Sequence, residues 1–97
     1  MGLILSFKKH EAVRITNDGN SIDLMVEDFF SDLGGTRVKL RATGHILGDF
    51  IVGSKYCTII PGLEVCVAVG QPNSRNQVRL DYKADRSYKI LRMELIQ

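Results

Sequence analysis

The chain has little of what enzymes and metal-binding proteins usually need. Its 97 residues include no tryptophan, two prolines, two cysteines and two histidines. Cys57 and Cys66 lack the C-x-x-C spacing of zinc sites and lie in apolar surroundings, so we expect buried free thiols and no metal. His10 and His45 stand outside any recognised catalytic signature, which predicts no catalytic residues, no cofactor and no enzymatic activity.

Long hydrophobic runs are also missing. No apolar stretch approaches the ~18 residues of a membrane-spanning helix, and the first residues lack the basic flank and cleavage site of an export signal. With 44% hydrophobic and 25% charged residues, the composition is that of a globular protein rather than a disordered one. We therefore expect one cytoplasmic domain over residues 1–97, with a packed core and no association with membranes.

Charge is small in total but unevenly distributed. The formal net charge is +2, too little to bind polyanions by bulk attraction. Every charged side chain between residues 15 and 35 is acidic, whereas basic side chains outnumber acidic ones from residue 72 onward. Charge alone is therefore compatible with a nucleic-acid surface and with an ordinary solvated face.

Alternating apolar residues predict an all-β fold. Short strands are indicated at residues 3–5 and 12–15, and a strong turn signal follows at residues 17–20. Residues 21–26 and 36–42 each alternate apolar and polar side chains, the period of a strand with one buried face. We expect a β-meander within an antiparallel or mixed sheet, arranged as a sandwich or a barrel-like structure.

One segment has helical spacing instead. Val26, Phe29, Phe30 and Leu33 fall at positions i, i+3, i+4 and i+7, which predicts at most one short helix near residues 27–33. A long hairpin loop is the alternative interpretation.

The second half of the chain repeats the pattern of the first. Gly19–Val26 aligns without a gap with Gly62–Val69, and Val38–Leu40 aligns with Val78–Leu80 if the first loop has three extra residues. Two copies are too few for a propeller or a solenoid, so we interpret them as a tandem duplication that forms a pseudo-symmetric two-part sheet. The predicted repeats are residues 1–48 and 49–97.

The two ends of the chain carry a resemblance to a known family. Residues 3–15 read Leu-Ile-Leu-Ser-Phe-Lys-Lys-His-Glu-Ala-Val-Arg-Ile, and residues 90–95 read Ile-Leu-Arg-Met-Glu-Leu. The first segment resembles the opening of the carbon storage regulator (CsrA/RsmA) family, and the second resembles its closing Val-His-Arg-Glu-Glu-Ile. Phe7 stands where the family carries an arginine, Leu91 replaces a histidine, and Asp85 stands where a proline is usual.

This resemblance implies a regulator that binds single-stranded or hairpin-loop RNA containing GGA, in messenger leaders or small regulatory RNAs, and modulates translation. Family members are interleaved homodimers in which the first strand of one chain and the last strand of the other build each RNA site. For this longer chain, the duplication implies a fused dimer with one composite site centred on Arg92, whose guanidinium would contact bases while lysines attract phosphates. The implied RNA-binding residues are Leu5, Ser6, Lys8, Lys9, Ile90, Leu91 and Arg92.

Two alternatives stay open at this point. The chain could be a CsrA-like protein-interaction module that has lost RNA binding and acts on a protein partner, for example as an antagonist; the acidic stretch 18–32 and Phe7 favour this. A monomer would fit the fused dimer, whereas a homodimer would fit a single regulator unit with a long insertion between residues 11 and 56.

Overall fold

The described part of the chain is made of β-strands alone. The computed structural model describes residues 2–68 and 76–93, and within these it contains nine strands and no helix; none of them therefore forms a helix long and apolar enough to cross a membrane. The predicted all-β fold class is confirmed. The strands are β1 (Gly2–Phe7), β2 (Ala12–Asn17), β3 (Asn20–Asp32), β4 (Gly35–Gly44), β5 (Gly48–Val52), β6 (Cys57–Ile60), β7 (Leu63–Val67), β8 (Val78–Ala84) and β9 (Lys89–Met93).

The strands form two antiparallel sheets that pack against each other as a sandwich. The five-stranded sheet has the order β5-β4-β3-β2-β9, and the four-stranded sheet has the order β1-β8-β7-β6. Successive side chains of a strand point to opposite faces, so every strand turns one face toward the space between the sheets. Val13, Val38, Leu40, Leu63, Val65, Val78 and Leu80 are fully buried there.

The two ends of the chain are exchanged between the sheets. β2 to β5 are consecutive strands of one sheet, which is completed by β9; β6 to β8 are consecutive strands of the other, which is completed by β1. In the resulting ladders Leu5 lies opposite Leu80, and Ile90 lies opposite Ile15. The first strand thus belongs to the sheet of the second half, and the last strand belongs to the sheet of the first half.

The segment predicted as a helix is part of strand β3. A β-bulge between Val26 and Asp28 shifts the register with β4 by one residue. Val26 and Phe29 therefore both face the core although they are three residues apart, while Phe30 is exposed. The bulge reproduces the i, i+3 spacing of a helix within a strand, and the prediction of a short helix near residues 27–33 is wrong.

Positions aligned by the sequence repeat occupy matching places in the two sheets. Gly19 and Gly62 precede β3 and β7 with φ of 84° and 87°, values that favour glycine. Val38 and Val78 are both fully buried. The chain crosses between the sheets at residues 53–56, a few residues beyond the expected repeat boundary. The duplication itself stays a prediction, and its position 69 lies outside the described residues.

Both cysteines are free thiols, as expected. Cys66 is buried, and burial raises the pKa of its thiol above the ordinary value. Cys57 is half-buried against the edge of the core. Cys66 is therefore not placed as a reactive nucleophile.

Candidate nucleic-acid interface

Strands β1 and β9 are edge strands on the same side of the sandwich. Each pairs with a single neighbour, β8 and β2 respectively, so each presents a row of backbone N–H and C=O groups outside the ladder. Between the two edges lies a groove of about 430 Å³, called the edge groove below. It is lined by Leu3, Tyr82, Ala84, Asp85, Arg86, Tyr88 and Ile90.

Strand β1 places its two predicted site residues on opposite faces. Leu5 lies opposite Leu80 and packs against the core. Ser6 lies opposite Arg79, on the outer face of the four-stranded sheet. Leu5 therefore contributes to the wall between the sheets, whereas Ser6 can offer a ligand only its backbone from the groove side.

Strand β9 alternates in the same way. Ile90 faces inward and packs against the core, Leu91 is 61% exposed on the outer face, and Arg92 faces inward again opposite Val13. The Ile90 and Arg92 side chains thus point to the side of β9 that faces the other sheet, whereas Leu91 points to the opposite side.

The Arg92 side chain contacts one residue of the opposite sheet and one residue of the turn between β1 and β2. Its guanidinium carbon lies 4.9 Å from the centre of the Phe7 ring, a cation–π contact. Its Nη2 donates a hydrogen bond of 3.3 Å to Glu11 Oε1. The side chain is nevertheless 42% exposed, so part of the guanidinium is accessible to a ligand.

Phe7 and Tyr82 form the support beneath Arg92. Phe7 is 1% exposed, and its ring meets the Tyr82 ring edge-on with 6.1 Å between centres. Burial raises the pKa of the Tyr82 phenol, an effect that the nearby Arg92 charge partly offsets. The Tyr82 hydroxyl has no hydrogen-bond partner among the described residues. The buried Phe7 ring beneath Arg92 thus lies next to the Tyr82 hydroxyl, which lacks a hydrogen-bond partner among the described residues.

The turn between β1 and β2 carries the two predicted lysines. Glu11 Oε1 accepts a hydrogen bond from the Lys8 backbone amide as well as from Arg92, so Glu11 ties this turn to β9. Lys9 Nζ lies 3.0 Å from Asp28 Oδ1, which lowers the pKa of that exposed carboxyl. Lys8 forms no ion pair with any described residue. A second depression of about 400 Å³ lies beside both lysines.

Three acidic residues of the stretch 18–32 are paired with basic side chains. Asp23 pairs with Arg14 at 2.8 Å, Glu27 with Arg41 at 2.8 Å, and Asp28 with Lys9 at 3.0 Å. Arg86, which lines the edge groove, forms no such pair within the described residues. These three carboxylates are therefore neutralised by basic partners, whereas the edge groove is lined by one residue of each charge, Asp85 and Arg86.

The structure brings Leu5, Ile90 and Arg92 together along one edge. It places Lys8 and Lys9 beside the second depression, and it puts Ser6 and Leu91 on the outer faces of the two sheets. Sequence reasoning missed the roles of Glu11, Tyr82 and Tyr88. Tyr82 continues the alternation of Val78 and Leu80, a signal that would have placed it in the core. No local pattern marks Tyr88 as a groove residue.

Metal chemistry finds no support in this part of the protein. Within residues 2–68 and 76–93, no three His, Cys, Asp or Glu side chains are grouped so that they could hold a metal ion. No family model, no curated protein and no solved structure matches the chain. Function is therefore inferred from the residues of the edge groove and its surroundings.

Proposed function

We propose that the protein is an RNA-binding post-transcriptional regulator built on the plan of the carbon storage regulator family, with its RNA site along the edge formed by β1 and β9. The exchange of the terminal strands is the observation that carries this proposal. The exchange places β1 and β9, the strands of the two segments that resemble the family, on either side of one groove within a single chain. This is the arrangement expected of a fused version of an interleaved dimer.

The chemistry of the edge suits unpaired RNA. Backbone groups of β1 and β9 that lie outside the ladders can read the edges of splayed bases, and Tyr88 and the Arg92 guanidinium offer flat surfaces for stacking. Lys8, beside the second depression, and Arg86, which lines the edge groove together with Asp85, form no ion pair among the described residues and would attract phosphates. A GGA element in a loop or leader is the proposed ligand, and its capture would hinder translation.

Gel-shift titration of a GGA hairpin tests the site. Arg92→Ala should weaken binding by about 1–3 kcal/mol, because a stacked or bidentate guanidinium contact is lost. Arg41→Ala is the matched control, since Arg41 has a similar side-chain exposure of 47% and also pairs with a glutamate, but lies within the outer face. Equal affinity of the two variants would refute the assignment of Arg92.

Lysine contacts are tested separately from base reading. Lys8→Ala should lower affinity for GGA and non-GGA hairpins by the same factor, and should reduce the salt dependence of binding by about one ion. A loss confined to the GGA hairpin would mean that Lys8 reads sequence rather than phosphate.

The fused-dimer form of the proposal concerns oligomeric state. Both terminal strands are already paired within one chain, so a complete edge groove does not require a partner copy. We expect the protein to be cytoplasmic, and we expect light scattering to give the molar mass of a monomer. A dimer would favour a single regulator unit that shares its edge with a second chain.

A protein-interaction module is the second candidate. The observation that favours it is the engagement of Arg92 by Phe7 and Glu11, which occupies the guanidinium in the absence of RNA. The edges of β1 and β9 could instead accept an extended strand from a protein partner or antagonist. Purification that yields a protein complex free of nucleic-acid absorbance, together with no gel shift, would support this candidate over RNA binding.

A further inference from the structure

The two sheets correspond strand for strand except at one position. The order β1-β8-β7-β6 of one sheet corresponds to β5-β4-β3-β2 of the other. The five-stranded sheet continues with β9, which pairs antiparallel with β2. No described strand takes the corresponding place beside β6, which pairs with β7 alone within residues 2–68 and 76–93.

The registers of the ladders support this correspondence. Opposed pairs of core residues recur with the same spacing in both sheets. They are Leu5 with Leu80 and Phe7 with Val78 in one sheet, and Phe50 with Leu40 and Val52 with Val38 in the other. Strand β5 is therefore the structural counterpart of β1, and the place beside β6 is the counterpart of the place that β9 holds beside β2.

The connection after β4 is too short to supply a counterpart of β9. In the second half of the chain, β8 ends at Ala84 and β9 follows over Lys89–Met93. In the first half, β4 ends at Gly44 and β5 begins at Gly48. The three residues between them span at most about 10 Å and cannot add a strand of that length.

The free side of Cys57–Ile60, called the β6 edge below, has the properties of a strand that can accept a partner. It carries no charged residue and no proline, two features that commonly protect an edge from pairing. Cys57 and Phe50 of the neighbouring β5 pack against the core but are only half-buried. An added strand would pair with the free backbone groups of β6 and would cover these apolar side chains.

The charge beside the β6 edge indicates what the added strand would carry. Arg92 of β9 donates a hydrogen bond to Glu11, in the turn that precedes β2. The segment that precedes β6 carries Lys55 instead, which is exposed and forms no ion pair with any described residue. Lys55 and Arg37 line a depression of about 320 Å³ to which the described chain contributes no acidic residue. A strand beside β6 would therefore be stabilised by a carboxylate where β9 has a guanidinium.

We propose that the β6 edge binds an extended segment of a protein partner, which pairs antiparallel with β6 as β9 pairs with β2. The segment has apolar side chains at alternate positions and a carboxylate beside Lys55. This inference does not depend on the proposed RNA site, because β6 and β1 lie at opposite ends of the four-stranded sheet.

Two synthetic peptides are the probes. One has the sequence of residues 86–95, which includes β9, and the other has the same sequence with Arg92→Glu. Backbone amide signals of the isotope-labelled full-length protein are followed by NMR during titration with each peptide. We expect saturable shifts of Cys57–Ile60, with the Arg92→Glu peptide binding about three- to tenfold more tightly.

A charge exchange on the protein provides the second arm. Lys55→Glu should reverse the preference, so that the peptide with arginine binds more tightly than the peptide with glutamate. Lys8→Glu is the matched control, because it changes the net charge by the same amount in the turn before β2, where β9 is already paired. It should leave the preference unchanged. A preference that responds equally to both variants would overturn the contact with Lys55.

Methylation of peptide nitrogens tests for strand pairing. Successive N–H groups of an extended strand point to opposite sides, so only alternate ones can donate to β6. Of two peptides N-methylated at positions 89 and 91 or at positions 90 and 92, one should lose binding and the other should retain it. Equal effects of the two patterns would overturn the proposal, as would the absence of saturable shifts at millimolar peptide.

Two other occupants of the β6 edge are distinguished in the same experiment. A GGA hairpin that shifts Cys57–Ile60 and displaces the peptide would overturn the proposal in favour of an RNA surface. Concentration-dependent shifts of Cys57–Ile60 without peptide, together with a dimer by light scattering, would overturn it in favour of a second copy of this chain.

Discussion

Arg92 lies over the ring of Phe7, with 4.9 Å between its guanidinium carbon and the ring centre, and the two residues come from opposite ends of the chain. Phe7 belongs to the four-stranded sheet and Arg92 to the five-stranded sheet. The contact therefore closes the open side of the sandwich between two edge strands. It also gives Arg92 a structural role that is independent of any ligand.

The first prediction separates this structural role from RNA binding. Arg92→Ala should lower the free energy of unfolding by about 0.5–2 kcal/mol, because a partly desolvated cation–π contact and the Glu11 pair are lost. Arg41→Ala should change it by less than about 0.5 kcal/mol, because its ion pairs with Glu27 and Asp49 are exposed to solvent. Urea unfolding of both variants measures the difference, and equal losses would contradict the role of the Phe7 contact.

The second prediction concerns Phe7, which the resemblance alone treats as a departure from a family arginine. Phe7→Ala should cost about 3–5 kcal/mol in the free energy of unfolding, because a fully buried ring is removed and a cavity is left against Tyr82. Phe30→Ala is the control, since Phe30 is 48% exposed on β3. If both variants unfold at the same urea concentration, Phe7 is not the core residue that the structure shows.

Local sequence patterns predicted many of the strands but not their partners. Ile22, Leu24 and Val26 alternate in sequence and are buried as expected, as are Val38 and Leu40. Periodicity reports which face of a strand is buried, so these segments could be predicted without a structure. It carries no information about strands that pair across the whole chain.

The features that local patterns could not supply are the bulge and the exchange of ends. The bulge after Val26 adds one residue to β3, so the inward-facing residues Val26 and Phe29 are three positions apart, as they would be on one face of a helix. The pairing of β1 with β8 depends on contacts between distant residues such as Leu5 and Leu80. Arg92 was predicted from the resemblance, whereas its contacts with Phe7 and Glu11 depend on the placement of β1 and β9 at one edge of the sandwich.

The third prediction tests a backbone constraint at Gly44, the last residue of β4. Gly44 has φ of 108°, and a Cβ at this position would lie 2.5 Å from the Ser21 carbonyl oxygen. That oxygen also accepts a hydrogen bond from the His45 amide. Gly44→Ala should therefore lower the free energy of unfolding by at least ~1 kcal/mol.

Gly53→Ala is the control for this substitution. A Cβ at Gly53 would meet open space, and the position does not have a left-handed backbone. The free energy of unfolding of the Gly53→Ala variant should be unchanged or slightly higher, because alanine restricts the conformations of the unfolded chain. A Gly44→Ala variant as stable as Gly53→Ala would show that the backbone around Ser21 can move freely.

The last prediction links stability to alkaline pH through Tyr56 on the outer face of the four-stranded sheet. Its hydroxyl donates a hydrogen bond of 2.7 Å to Asp81 Oδ2, and this bond, with a smaller effect of burial, raises the pKa of Tyr56 from 10.0 to about 12. The unfolded chain ionises first as pH rises, so it binds fewer protons than the folded chain between these values. The contribution of Tyr56 to stability is therefore complete below pH 10.0 and is lost as pH rises toward about 12.

Phenolate absorbance and urea unfolding, both followed against pH, measure this effect in the wild type and in Tyr56→Phe. Tyr56→Phe should remove the tyrosine that titrates near 12 and should flatten part of the alkaline loss of stability. The buried Tyr82 also has a raised pKa, so its ionisation also lowers the stability of the protein at alkaline pH. Because Tyr82 is present in both proteins, the difference between wild type and Tyr56→Phe isolates the effect of Tyr56. Asp81→Asn keeps an acceptor but removes the negative charge, and it should return the pKa of Tyr56 toward 10.0. If Tyr56 ionises at the same pH with and without the Asp81 carboxylate, the charged hydrogen bond is not the cause of its raised pKa.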